Sequence, residues 1–310
     1  MRDRYGVIMN TGAQTDEAWF LQNLGMQWYL DFNRAIDTIP PGKKKLLFVP
    51  GPPGPSAQEL QAVAQAAPGS VWYVIGEPNR MFPVTSQLVT QWRDLYQRIK
   101  SADPTAKVTS PSVLNWDFTC YGCGGYQSGH SWMQQFIDEY QRQFHAPPPF
   151  DIWAIDTYPL DWWNIPTTNE NIVIDQVKDM RSYMDANGFQ NKPIWVTELS
   201  MHWGYDCQGK TPGQVPYQCF KNGDATQGPT DGLPYLTDQV TGYLNRALDW
   251  FEANAATFKI EKWFIFITYS DLGQPNDGAY QGISLFNGPS ARAPLSPVGE
   301  ALKQRIQALP

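Results

Sequence analysis

Four carboxylates stand at or just beyond the ends of apolar runs. Glu77 closes SVWYVIGE, Asp156 lies near the end of FDIWAIDTY, Glu198 near the end of PIWVTELS, and Asp271 follows KWFIFITYS. An acid that ends an apolar strand is delivered to the surface where the strand stops. Two such acids facing one another can divide proton donation from nucleophilic attack. Glu77 has the most particular setting, because Gly76 breaks the apolar pattern before it and Pro78 and Asn79 follow. Whether these acids meet depends on the elements that carry them.

Short apolar runs alternate along the chain with segments of helical period, the pattern of βα repetition. Strands are expected at 4–9, 26–32, 45–51, 70–77, 107–114, 150–158, 193–200 and 262–270. Helices are expected at about 15–24, from Ser56 (whose Glu59 completes a capping box), at 85–101, 128–144, 171–187 and 234–255, and from Ser296 and Pro297 to about 309. A short helix is expected after the second strand. Eight parallel strands with crossover helices predict an α/β fold, a (β/α)8 TIM barrel. An open doubly wound sheet usually carries a glycine-rich phosphate loop after its first strand, and MNTGAQT lacks one. No linker interrupts the pattern, so residues 1–310 read as a single domain. Long loops are expected after the fifth strand, at 115–127, and after the seventh, at 201–233. Both leave the face where barrel enzymes build their sites.

In such a barrel Glu77 ends the fourth strand and Glu198 the seventh, and the two face each other across the mouth. Hydrolysis of a glycosidic bond needs a pair of this kind, one acid to protonate the leaving oxygen and one carboxylate on the opposite face of the ring. IGEPN and PIWVTELS, on those two strands, resemble the retaining glycoside hydrolases of clan A. The likeness extends to FDIWAIDTYP, to WFIFITYSDLG followed by GISLFN, and to LSPVGEALK before the last helix. The endo-β-1,3-glucanase type and the xylosidase/iduronidase type are the most similar families. The resemblance implies double displacement, with Glu77 as acid/base and Glu198 as nucleophile. It also implies that Tyr158 hydrogen-bonds the nucleophile. Two positions depart from the family pattern: Gly76 replaces an asparagine that bonds the sugar 2-hydroxyl, and Asp156 replaces the usual sixth-strand histidine.

The chain has 13 Trp, and aromatic faces stack on sugar rings. Platforms are expected among Trp116, Trp162, Trp163, Trp203, Tyr205 and Tyr269, with core packing the alternative at each. Adjacent Trp162 and Trp163 are preferred, because two tryptophans in a polar loop are hard to bury together. Asn79, Asp156, Tyr158 and His202 complete the expected substrate contacts. Trp28, Trp72, Trp153, Trp195 and Trp263 lie inside strands and read as packing. Cys120, Cys123, Cys207 and Cys219 fall in the two long loops. A CxxC with a distant pair raises zinc, but the second pair is separated by eleven residues and His130, His145 and His202 form no ligand spacing. In a glycan hydrolase, an even count in exposed loops favours disulfides and a secreted or extracytoplasmic protein. No metal and no cofactor is expected.

A net charge of −7 without a basic run argues against nucleic acid, and no apolar run is long enough for a membrane span. MRDRYGVIMN has no apolar core of a signal peptide. The expected partner is a β-linked glycan, bound by a monomer that cuts within chains. An exo-acting β-glycosidase and a non-hydrolytic carbohydrate-binding barrel are the alternatives.

Overall fold

Runs such as VWYV and WAIDT are buried along their whole length. A parallel sheet needs this when it is covered on both faces. The computed structural model describes residues 1–10, 14–36, 39–117, 127–159, 168–201, 235–270 and 283–310. Among them, nine strands pair in parallel: β1 Tyr5–Ile8, β2 Trp28–Leu30, β3 Lys44–Val49, β4 Val71–Val74, β5 Lys107–Val108, β6 Val113–Leu114, β7 Trp153–Thr157, β8 Ile194–Leu199 and β9 Ile260–Ile265. Their order is β5-β4-β3-β2-β1-β9-β8-β7-β6.

The two ends of that order are halves of the strand expected over 107–114. Pro111, which has no N–H to give a ladder, lies between them. The backbone nevertheless stays bonded on both sides. Thr109 N–H donates to Trp72 O at 2.9 Å and Ser112 N–H to Ile75 O at 2.9 Å on the β4 side. Ser110 N–H donates to Ile152 O at 2.7 Å on the β7 side. Single bridges Gly76–Ser112 and Thr109–Ile152 complete the seam. The sheet therefore closes into eight staves with one broken, the geometry of a TIM-like barrel.

Helices α1 Gln14–Leu24, α2 Ala57–Ala66, α4 Ser86–Ala102, α5 Gly129–Phe144, α6 Asn171–Ala186, α7 Tyr235–Asn254 and α8 Pro297–Ala308 follow the expected segments closely. Four of the starts are legible because side-chain oxygens cap them. Ser56 and Glu59 form the reciprocal box, and Thr85, Ser128 and Ser296 each accept a first-turn N–H. The short helix expected after β2 does not form among the described residues. Asp31 and Asn33 instead accept the N–H groups of Asn33 and Ala35, turns that compete with a helix. A one-turn helix, α3 Pro78–Met81, stands directly after Glu77, with Pro78 at its first position.

Trp72, Trp153, Trp195 and Trp263 are buried as expected, and Trp28 is half-buried with its ring edge-on to Trp195 at 5.2 Å. No helix among the described residues is long and apolar enough to cross a membrane. Most of both expected long loops lies outside the described residues.

Candidate active site

The chain turns sharply where β4 ends. Ile75 and Glu77 both have left-handed backbones, φ 63° and 46°, on either side of Gly76. A β-branched residue there is rare, and such a conformation costs about 1–3 kcal/mol, so the surroundings must hold it. They do: Ile75 N–H donates to Val49 O at 2.9 Å and Glu77 N–H to Ser112 O at 2.7 Å. The turn lifts the Glu77 side chain over the barrel mouth, where it is 20% exposed and pairs with Arg80 of α3 at 2.5 Å.

Glu198 arrives on β8 and Asp156 on β7. In regular pairing, neighbours 197 and 198 would point to opposite faces. The register slips between Ile155 and Asp156, so that Ile155 faces Val196 but Asp156 faces Glu198. This irregularity lets Thr197 and Glu198 both approach Asp156, a bulge's usual effect beside a site. Carboxylate oxygens of Glu77, Asp156 and Glu198 all lie within 4.8 Å of one another. Tyr158 O–H donates to Glu198 Oε2. Asp156 is fully buried; its Oδ2 accepts from Tyr73 O–H at 2.8 Å, and its Oδ1 lies 2.6 Å from Thr197 Oγ1 and 3.0 Å from Ser112 Oγ.

Three acids this close cannot all be ionised. Burial raises the Glu198 carboxyl well above its ordinary value, with Asp156 and Glu77 adding to it and Tyr158 and Arg80 opposing. Burial and then Glu77 raise Asp156 against its three hydroxyl partners. Burial raises Glu77 too, while the Arg80 guanidinium pulls it down. Burial pushes Tyr158 well above 10, so it remains a donor. Oxygens so close could also hold a cation. Asp156, however, has both oxygens turned to hydroxyls, and Glu198 has one on Tyr158.

A cleft of about 250 Å³ opens over the trio. Phe32, Phe48, Phe266 and Met81 line it together with Tyr73, Arg80 and Tyr158. Phe32 is 50% exposed and stands edge-on to Phe48 at 5.4 Å. A larger cavity of about 470 Å³ lies at the opposite end of the barrel, among Trp28, Lys44, Lys107 and Lys262. Barrel chemistry is built at the carboxyl ends of strands, which favours the smaller cleft.

The described family "Glycosyl hydrolase catalytic core" matches residues 6–288. The chain belongs to this family. It is a glycoside hydrolase. Among solved structures, a GH128 (subgroup I) endo-β-1,3-glucanase from Amycolatopsis mediterranei, in complex with laminaritriose, is similar with TM-score 0.56 and 16% identity over 97% of this chain and 99% of that one. A subgroup IV endo-β-1,3-glucanase from Lentinula edodes gives TM-score 0.57 and 12% identity over 97% and 100%. A glucosidase from Croceicoccus marinus gives 0.61 and 13% over 99% and 68%. At these identities the likeness is one of fold. No curated protein sequence gives a significant match.

Within the glycoside hydrolase, Glu77, Asp156, Tyr158 and Glu198 come together as one cluster. Two expected substrate contacts turn into the fold instead. Trp116 is 1% exposed, with its ring stacked on His130 at 5.2 Å and packed on Tyr183, which leaves no face for a sugar. Asn79 is buried, giving Nδ2–H to Leu114 O and Gln127 O and accepting from Leu114 N–H, and so ties α3 to the broken stave. Asp156, also expected to touch substrate, is enclosed beneath the pair. Tyr269, beyond β9, is partly exposed. Trp162, Trp163, His202, Trp203, Tyr205, Asp271 and the four cysteines lie outside the described residues. Sequence reasoning missed Tyr73, Arg80 and the phenylalanines of the cleft. Arg80, three residues after Glu77 and just past a Pro at the first helical position, had a readable signal.

Proposed function

We propose that the hydrolase is a retaining, endo-acting enzyme on β-linked glucan, with β-1,3-glucan as its substrate class. The observation that carries the reading is the approach of Glu77 and Glu198 oxygens to within 4.8 Å. Direct attack on carbon requires carboxyls about 5–5.5 Å apart, whereas an interposed water requires about 6.5–9.5 Å. Glu198, oriented by Tyr158, is the nucleophile, and its carboxylate oxygen bonds to the anomeric carbon. As the glycosidic bond breaks, Glu77 gives its proton to the leaving oxygen. Glu77, now ionised beside Arg80, then takes a proton from water while that water displaces Glu198 from the same carbon. Two inversions restore the original configuration.

The substrate class is supported by the Amycolatopsis and Lentinula structures, described as endo-β-1,3-glucanases, the former with laminaritriose bound. Exposed Phe32 beside Phe48 offers the glucan an aromatic wall on one side of the pair. The test uses laminarin with the wild-type protein and Glu198→Gln. The wild type should release a ladder of oligomers whose first-formed anomer is β by NMR. The substitution should lower kcat by about a thousandfold or more with little change in Tm. Near wild-type turnover in Glu198→Gln would sink the mechanism, and a single small sugar as sole product would sink endo action.

A further inference from the structure

We propose that Asp156 is a protonated carboxylic acid at neutral pH, a neutral positioning residue that leaves the negative charge of the site to Glu198. The role rests on the Glu77–Glu198 reading above; the evidence for the proton does not. Asp156 Oδ1, Thr197 Oγ1 and Ser112 Oγ form a triangle with edges of 2.6, 2.7 and 3.0 Å. Each edge has hydrogen-bond length and so needs a hydrogen along it. The two hydroxyls bring one hydrogen each. Thr197 Oγ1 also lies 3.3 Å from Ile155 O, a further claim on its single hydrogen.

If Asp156 were ionised, at least one edge would press two lone-pair oxygens together with nothing between them. A proton on Oδ1 supplies the missing hydrogen and closes a ring, from Asp156 to Thr197, from Thr197 to Ser112, and from Ser112 back to Asp156. Oδ2 is then the carbonyl oxygen and accepts from Tyr73, as its 2.8 Å contact requires. Burial agrees, because Asp156 has no exposed surface and all three of its described partners are neutral hydroxyls. An isolated buried carboxylate takes up a proton sooner than stay charged.

The titratable groups that face it are Glu77 after β4, Tyr73 on β4, Tyr158 after β7 and Glu198 on β8; Arg80 of α3 pairs with Glu77. A charge on Asp156 would oppose the charge Glu198 needs in order to attack carbon. A neutral Asp156 removes that opposition and still fixes two groups. One is Thr197, next in the chain to Glu198, and the other is Tyr73, on the floor of the cleft.

The test compares Asp156→Asn with Asp156→Ala. The amide is neutral, can donate to Thr197 and Ser112, and can accept from Tyr73. Asp156→Asn should retain kcat/KM about tenfold or more above Asp156→Ala. The acid limb of its pH profile, where Glu198 loses its charge, should stay within about half a pH unit of wild type. The infrared difference between wild type and Asp156→Asn at neutral pH should contain the carbonyl stretch of a protonated acid and no carboxylate bands. Three results would each overturn the proposal: carboxylate bands in that difference, an acid limb lowered by about one unit or more, or an Asn variant as inactive as Ala. The infrared signal reads the proton on Asp156 whether or not Glu77 and Glu198 cleave the bond, so failure of that mechanism would be seen separately.

Discussion

Gly76 and Tyr73 are a matched pair at the residue scale. A Cβ built on Gly76 would lie 2.8 Å from Tyr73 Oη, 3.4 Å from Tyr73 Cζ and 3.5 Å from Phe48 Cε2. The hydroxyl cannot simply step aside, because it is held on Asp156. Gly76→Ala should therefore push the turn that carries Glu77 out of place and cost about tenfold or more in kcat/KM. Adding Tyr73→Phe removes the close atom and leaves contacts of ordinary length, so the double variant should be less impaired than Gly76→Ala alone by kinetics. A single variant as active as wild type would show that the contact does not matter. The sequence marks Gly76 as a departure and Glu77, Glu198 and Tyr158 as chemistry. Tyr73 is invisible there, since in VWYV it looks like one more apolar strand residue.

At the scale of elements, one buried charge cluster links the first helix to two neighbouring strands. Glu17 of α1, Tyr29 of β2, Asp31 beyond it and Lys45 of β3 form one enclosed cluster, with Lys45 2.7 Å from Asp31. Burial, and then the neighbouring Asp31, push the Glu17 carboxyl up from 4.5 to about 8. Between those values the folded protein holds a proton that the unfolded chain has lost, so stability falls as pH rises. The contribution is complete below about 4.5 and is lost as pH climbs through about 8. Thermal melts should show this decline in wild type, and Glu17→Gln should flatten it and be the more stable of the two at pH 8. Parallel curves for the two proteins would remove Glu17 as the cause. The elements themselves were largely legible, since caps at Ser56, Thr85, Ser128 and Ser296 are local signals. The break at Pro111 and the slip beside Asp156 were not, because both arise from pairing with distant strands.

For the whole molecule, closure of the ring through residues 107–114 brings the ends of β4, β7 and β8 to one mouth. It thereby turns residues far apart in sequence into one cluster. The four cysteines are expected to form two disulfides in an exported protein, which would staple segments beyond the strand ends. An alkylating reagent should label none of them in the denatured, unreduced protein and all four after reduction, read by intact mass. Labels gained before reduction would count against disulfides and against the compartment they imply.

The sequence alone determined the order of strands and helices and placed Glu77, Asp156 and Glu198 at strand ends. Hydrophobic period and helix caps act over a few neighbouring residues and need no partner from elsewhere. Only the tertiary structure decided that Asp156 lies beneath the pair, that Tyr73 occupies the space above Gly76, and that Trp116 and Asn79 turn into the fold. Those outcomes depend on register, on one slipped pairing and on distances between side chains far apart in the chain, 85 residues for Ser112 and Thr197. No short-range pattern encodes such distances.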